Sequence, residues 1–400
     1  MIANGPDCPI FRTGHAPMSD TQRTSLRELA LLFFRLGTTA FGGPAAHIAM
    51  MRDEVVQRRR WLSEERFLDL VGATNLIPGP SSTELAIHIG WERRRWAGLL
   101  VAGIAFIVPA MVLTGALGQA YVRYGTVPAA GWLLYGVKPV ILGVVVQALW
   151  GLAPKAARTT ALRVLGGLAA VLAALGVNEL AVLFGAGAIS VALKREVFRK
   201  KKPDGRLGVF LPLLPVAMGA QAVTLPSLFW VFFKIGSVLF GSGYVLLAFL
   251  RADLVQRLGW LTEAQLIDAI AVGQVTPGPV FTTATFIGYV LAGPSGALIA
   301  TAGIFLPAFI FVALSGPLVP RLRASPGAAA FLDGVNVASL ALMAVVTAQL
   351  GRAALVDVPT VVLGLVAAVL LVRFKLNSTW LVFGGAAAGW AVHALGLATS

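Results

Sequence analysis

The chain has 400 residues, 57% of them hydrophobic and only 12% charged, with a formal charge of +14 and a mean hydropathy of +0.81. Soluble proteins carry about 25% charged residues, so this composition excludes a string of water-soluble domains and makes lipid the solvent of an integral membrane protein. One cysteine, Cys8, and four scattered histidines exclude a disulfide framework and a cysteine-clustered metal site and argue against a zinc or haem centre, so no cofactor is expected.

Residues 1–24 read as a polar tail with no basic-then-apolar leader pattern. Residues 26–51 are apolar but carry Arg35 near their middle and then Phe41-Gly42-Gly43-Pro44. Residues 67–90 are cut by Pro78-Gly79-Pro80. Residues 96–117 and 132–152 are clean spans. Residues 162–193 are too long for one helix and contain a Gly176-Val177-Asn178 step, which fits either a tight hairpin or one crossing plus a surface helix. Residues 201–225 form a linker whose Pro-rich stretch 209–223 could be an extra crossing. Residues 297–314 and 328–350 are again clean spans. Nothing alternates as an outer-membrane strand does, so the fold class is an all-α polytopic membrane protein. The excess charge sits in short clusters, Arg58-Arg59-Arg60, Arg93-Arg94-Arg95 and residues 194–202, between apolar runs and without interleaved aromatics. That is a topological signal and not a nucleic-acid surface.

Shifted by 199 positions, the sequence matches itself with 18 identities between residues 33 and 83, among them Trp61 on Trp260, Asp69 on Asp268 and Pro78-Gly79-Pro80 on Pro277-Gly278-Pro279. Two homologous halves follow, residues 25–200 and 226–397. What is basic in one half is neutral in the other: Arg93-Arg94-Arg95 falls on Ala292-Gly293-Pro294, and residues 194–202 fall on the uncharged C-terminus. Exchanged charge is expected of inverted repeats. One conflict stands against it. A full crossing by residues 26–51 would put the basic loop Arg52 to Arg60 on the face opposite the tail; a first segment that re-enters at Phe41-Gly42-Gly43-Pro44, or a loop with enough acid to be tolerated, would resolve this.

Proline and glycine inside a span free backbone groups that lipid cannot satisfy, so broken helices belong where protein or a polar cavity covers them. The strings Phe41-Gly42-Gly43-Pro44, Arg60-Trp61-Leu62, Asn75-Leu76-Ile77-Pro78-Gly79-Pro80 and Thr83-Glu84-Leu85-Ala86, with Phe240-Gly241, Gly259-Trp260-Leu261 and Gln274-Val275-Thr276-Pro277-Gly278-Pro279, resemble the chromate ion transporter family over residues 25–395. The resemblance implies efflux of chromate, with sulfate as its mimic; Ser242 departs from it where Gly43 stands in the first half.

The residues themselves suggest an oxyanion site. Helix N-termini carry roughly half a positive charge and unpaired N–H groups, here following Pro80 with Ser81, Ser82 and Thr83, and following Pro279 with Thr282 and Thr283. Gly42, Gly43, Gly79, Gly241 and Gly278 let backbone approach a ligand. Arg35 and Lys234, at matching depth, are candidate counter-charges or snorkelling anchors. Asn75 and Gln274 offer amides, Lys138 is a weaker cation because Asn336 replaces it, and Glu84 is a candidate for pairing or for carrying a coupling proton. His47 and His88 read as packed or interfacial, and Trp61 and Trp260 as interface markers. The expected function is a secondary transporter at the inner membrane, with lipid and a second copy among its expected partners; a permease or channel for sulfate or another anion and an intramembrane reductase are the alternatives. No Gly-x-x-x-x-Gly-Lys-Ser/Thr signature is present to supply ATP-driven transport.

Overall fold

A computed structural model describes residues 24–40, 43–125, 128–198, 222–240, 245–374, 376 and 378–395. Fourteen helices and no strand occur among them. The first repeat holds α1 (Leu26–Thr39), α2 (Pro44–Arg52) continuing into a widened π turn (Asp53–Arg58), α3 (Glu64–Thr74), α4 (Ser81–Tyr124), α5 (Pro128–Ala156), α6 (Thr160–Ala174) and α7 (Glu179–Phe198). The second holds α8 (Leu225–Val238), α9 (Leu246–Leu250) with its π turn (Arg251–Arg257), α10 (Glu263–Val275), α11 (Thr283–Ala324) after the 3-10 turn Val280–Thr282, α12 (Pro326–Ala354), α13 (Val358–Phe374) and α14 (Ser378–Ala394). Among the described residues four segments are long and apolar enough to cross a bilayer: Ser81–Tyr124, Gly131–Ala156, Val280–Ser315 and Pro326–Ala354.

The opening segments do not cross. Ser25 caps α1 by accepting from the Glu28 amide, and after α1 and α2 the chain is back beside that start, where the Arg59 guanidinium donates to Glu28 at 2.8 Å. α3 enters from the same face and breaks at Pro78-Gly79-Pro80, and the arm 81–93 of α4 returns; Arg66 bonds Glu92 at 2.5 Å, and Arg93 donates to Thr24 and to the Trp61 carbonyl. Both are re-entrant hairpins open to one face. The tail end and the basic loop therefore share that face, and the topological conflict disappears. At Arg94 and Arg95 the backbone leaves helical geometry, and arm 96–124 folds back so tightly that Gly90 and Gly98 meet backbone to backbone. In a straight helix those two would stand about 12 Å apart.

The long arm measures out the membrane and shows which way the second repeat points. It starts beside Gly90 at Gly98, passes α1 where Gly37 touches the Phe106 carbonyl, then meets the second Pro-Gly-Pro at Ala110. Gly118 packs on Tyr289 and Tyr121 bonds Asp268, both near the open end of the second repeat's hairpins. From Gly98 to Gly118 a helix rises about 30 Å, one hydrocarbon thickness. The two repeats thus open to opposite faces and are inverted.

The charge register needs one correction. The non-helical pair in α11 is Ala292–Gly293, matching Arg94–Arg95 at an offset of 198 and not 199. The 3-10 turn Val280–Thr282, standing where α4 begins as regular helix, accommodates the missing residue. Arg93-Arg94-Arg95 therefore faces Leu291-Ala292-Gly293, which is still neutral.

The repeats are intertwined. α5 packs against α13 and α14, and α12 against α6 and α7, so each repeat's long helix is covered by the other repeat's last pair. Gly136 lies directly on Gly385 and Gly389, and Gly334 on Ala186 and Ser190. At one face Tyr135 donates to Asp357 at 2.5 Å; at the other Asp333 holds both Arg158 and Lys194. Residues 162–193 form a hairpin, α6 and α7, turning at Gly176. α7 ends on the first face and α8 begins on the opposite one; all but the last two residues of the proposed crossing 209–223, like Cys8, Gly42 and Gly241, lie outside the described residues.

Candidate functional site

The hairpin tips meet in the middle of the membrane, and the contact is reciprocal. The Gly79 amide donates to the Leu239 carbonyl at the end of α8 (2.8 Å), and the Gly278 amide donates to the Ala40 carbonyl at the end of α1 (3.0 Å). Each Pro-Gly-Pro thus satisfies the C-terminus of the other repeat's first helix, which lipid could not do. Glycine is required at both positions, with φ of +139° at Gly79 and +86° at Gly278. Neither leaves room for a methyl: at Gly79 it would strike the Glu84 carboxyl, and at Gly278 it would come within 2.9 Å of both Ala110 and the Gly37 carbonyl.

The two tips differ in chemistry. At the first, α4 starts at Pro80 without any side-chain cap. Ser81 is half-buried; Thr83 and Glu84 are wholly buried, and the Thr83 hydroxyl and both Glu84 carboxyl oxygens have no hydrogen-bond partner among the described residues. His47, on α2, is buried between Ser82 (3.1 Å) and the Ala40 carbonyl (3.0 Å). The carbonyl can only accept, so in the neutral ring Nε2 carries the proton and Nδ1 accepts from Ser82. At the second tip every threonine bonds within its own repeat: Thr276 to Val272, Thr282 to Pro279, Thr283 to Val280, and Thr285 to Thr301. The hollow beside Gln274 and Thr283 holds about 10 Å³, far below the volume of a tetrahedral oxyanion.

The other sequence candidates lie apart from the tips. Asn75 is exposed and bonds back to Val71. Arg35, 52% exposed, is ion-paired with Glu54, and Lys234, 35% exposed, with Asp253 at 2.5 Å. Glu54 also holds Arg58 and Arg59, and Asp253 holds Arg257. Arg52–Glu64 and Arg251–Glu263 repeat the pattern. The sequence reading found the duplicated cations but not their acids, because Glu54 on Asp253 is not an identity although the offset is the same 199. It also passed over the partner of Lys138, which is Asp268 on the other repeat at 3.3 Å.

A model of the family described as chromate transporter matches residues 27–191 and 226–390, the same two repeats. The chain is 35% identical to a chromate transport protein of Cupriavidus metallidurans, over 91% of this chain and 92% of that one. It is 31% identical to a probable chromate transport protein of Synechococcus elongatus (88% and 91% covered) and 31% identical to a chromate transport protein of Pseudomonas aeruginosa (92% of each). No solved structure matches the chain.

Proposed function

The chain belongs to the chromate transporter family, and from that premise we propose that it is a secondary transporter exporting chromate, with sulfate as a competing substrate, across an inner membrane. The observation that carries the reading is the first tip: a helix N-terminus at mid-membrane whose Thr83 hydroxyl and Glu84 carboxyl are buried and without a partner among the described residues. A dianion held there would take N–H groups of α4 and the Thr83 hydroxyl, with Ser81 and the glycine turns Gly79 and Gly278 allowing close approach. Gly43, which starts α2, Pro78, Pro80, Pro277 and Pro279 shape the cradle, and Thr282 and Gln274 would enter only after the second tip rearranges. Arg35 and Lys234, already paired, act as part of the positive approach on each face and not at the anion itself. Among the described residues Glu84 has neither cation nor donor in reach, so it must hold a proton or be met by a cation, which suits a coupling group. Rocking of one inverted repeat against the other would open the tips to alternate faces. The first repeat's face carries Arg58 to Arg60, Arg93 to Arg95, Lys155, Arg158 and Lys194 and is the cytoplasmic one by the positive-inside rule.

The test is chromate and sulfate flux in proteoliposomes made with the purified chain. Saturable chromate flux, inhibited by sulfate and lowered about tenfold by Thr83→Val, the loss of one good hydrogen bond to a charged ligand, is the expected result. Flux that never saturates would make the protein a channel, and no flux of either anion under any gradient would remove the reading.

A further inference from the structure

The arm 81–93 carries a second pattern that anion binding does not use. Glu84, His88 and Glu92 stand four residues apart, so they form one stripe along the helix. The stripe runs from the tip, where Glu84 is 0% exposed, through His88 at 6%, to Glu92 at 28% on the first repeat's face. Both Glu84 oxygens and His88 Nε2 lack partners among the described residues, whereas Glu92 is tied to Arg66. A buried polar group without a partner is destabilising, so such a stripe is not kept for packing.

The fold does not need this stripe. At the same structural register the second repeat places Thr282, Phe286 and Val290, none of which titrates, and builds the same hairpin. The stripe is therefore a property of one repeat and leads to one face only.

We propose that Glu84, His88 and Glu92 are a proton file joining the midplane to the first repeat's face. It rests on the reading of the first tip as the anion site. Successive members are separated by a rise of about 6 Å, which one bridging water spans. A proton leaving the Glu84 carboxyl is accepted by one imidazole nitrogen of His88 while the other nitrogen releases its proton toward Glu92 and bulk water. The ring then returns to its first tautomer, so one proton enters and one leaves with no change in oxidation state. The charged and titratable groups around the file are few. α3 contributes Arg66, which acts on His88 and is followed by Asp69; α2 contributes His47 at Ser82; the turn contributes Arg93 to Arg95; and the long arm of α11 packs Ala308, Phe309 and Val312 against the hairpin. The file thus has an apolar wall on one side, and its fixed cations, Arg66 and Arg93 to Arg95, stand at its wet end.

The experiment separates the file from the site. Proteoliposomes of the full chain, with a pH-sensitive dye inside and the potential clamped, are assayed for exchange of sulfate against chromate at equal pH and for proton movement driven by a chromate gradient. His88→Phe, which installs the second repeat's residue, is expected to leave exchange within about twofold while lowering proton movement about tenfold or more, as expected for removal of an intramembrane relay group. Glu92→Gln is expected to do the same more weakly, because water reaches that end. If His88→Phe does not yield monodisperse protein, His88→Gln takes its place. Undiminished proton movement in the His88 variant overturns the file, as does exchange by the wild type without any proton movement. Loss of exchange and proton movement together in folded His88 and Glu92 variants also overturns it, since the stripe would then belong to the anion site. Absence of exchange in the wild type overturns the anion reading and the file with it.

Discussion

The two hairpin tips are built to one plan and finished differently. Both break at Pro-Gly-Pro, both give a glycine amide to the opposite repeat, and both begin a helix at mid-membrane. At the second tip the threonines close on their own backbone; at the first, Thr83 and Glu84 are left open among the described residues, and His47, which bonds Ser82, stands where the second repeat has Leu246. Shared backbone geometry with unshared side-chain satisfaction says that the architecture is paid for by the glycines and carbonyls, and that the open polar atoms are additions to it.

The strongest way to break that view is at the shared part. Gly278→Ala places a methyl within 2.9 Å of Ala110 and the Gly37 carbonyl at a φ of +86°; overpacking and left-handed backbone together should cost about 3 kcal/mol. A thermal melt in detergent should show that loss, and a variant as stable as wild type would mean the tips are not locked. Next, Thr83→Val and Thr282→Val should part company. The first lowers chromate flux about tenfold and the second by less than about threefold, because its hydroxyl already serves its own turn; equal losses would make the tips chemically equivalent.

The paired cations give a smaller effect. Lys234→Ala leaves Asp253 with Arg257 alone, whereas Arg35→Ala leaves Glu54 with Arg58 and Arg59. After discounting for exposure, the first should cost about 1–2 kcal/mol and the second less than about 1. Denaturation midpoints in the reverse order would show that the two networks are not cushioned as their partners imply. Smallest, a double-mutant cycle of His47→Leu and Ser82→Ala should return a coupling of about 0.5 kcal/mol for their single hydrogen bond; zero coupling would make His47 a packing residue only.

Much of this was legible in the residues. Pro-Gly-Pro inside an apolar run marked the broken helices because lipid cannot satisfy freed backbone, and exchanged loop charge marked inversion because insertion reads lysine and arginine. The re-entrant path of the first segment remained one of two options, since it depends on where Arg59 finds Glu28. The reciprocal tip bonds were invisible because they are backbone to backbone. The Glu84, His88 and Glu92 spacing was in plain view, but it means little until Arg94 and Arg95 are seen to end the helix and turn it into a one-faced arm. The acid partners Glu54 and Asp253 differ by one methylene, so they do not stand out among the repeat's identities.

The exchange of outer helices between repeats also governs how the chain can be made. α5 emerges from the ribosome early, yet the surface around Gly136 and Gly143 that fits α14 and α13 stays uncovered until the last two helices have been synthesised. A nascent chain therefore carries an unfinished first half through most of its insertion. A chain stopped before Ser378 would leave the Gly136 seam facing lipid and would spoil the older half of the molecule more than the newer one.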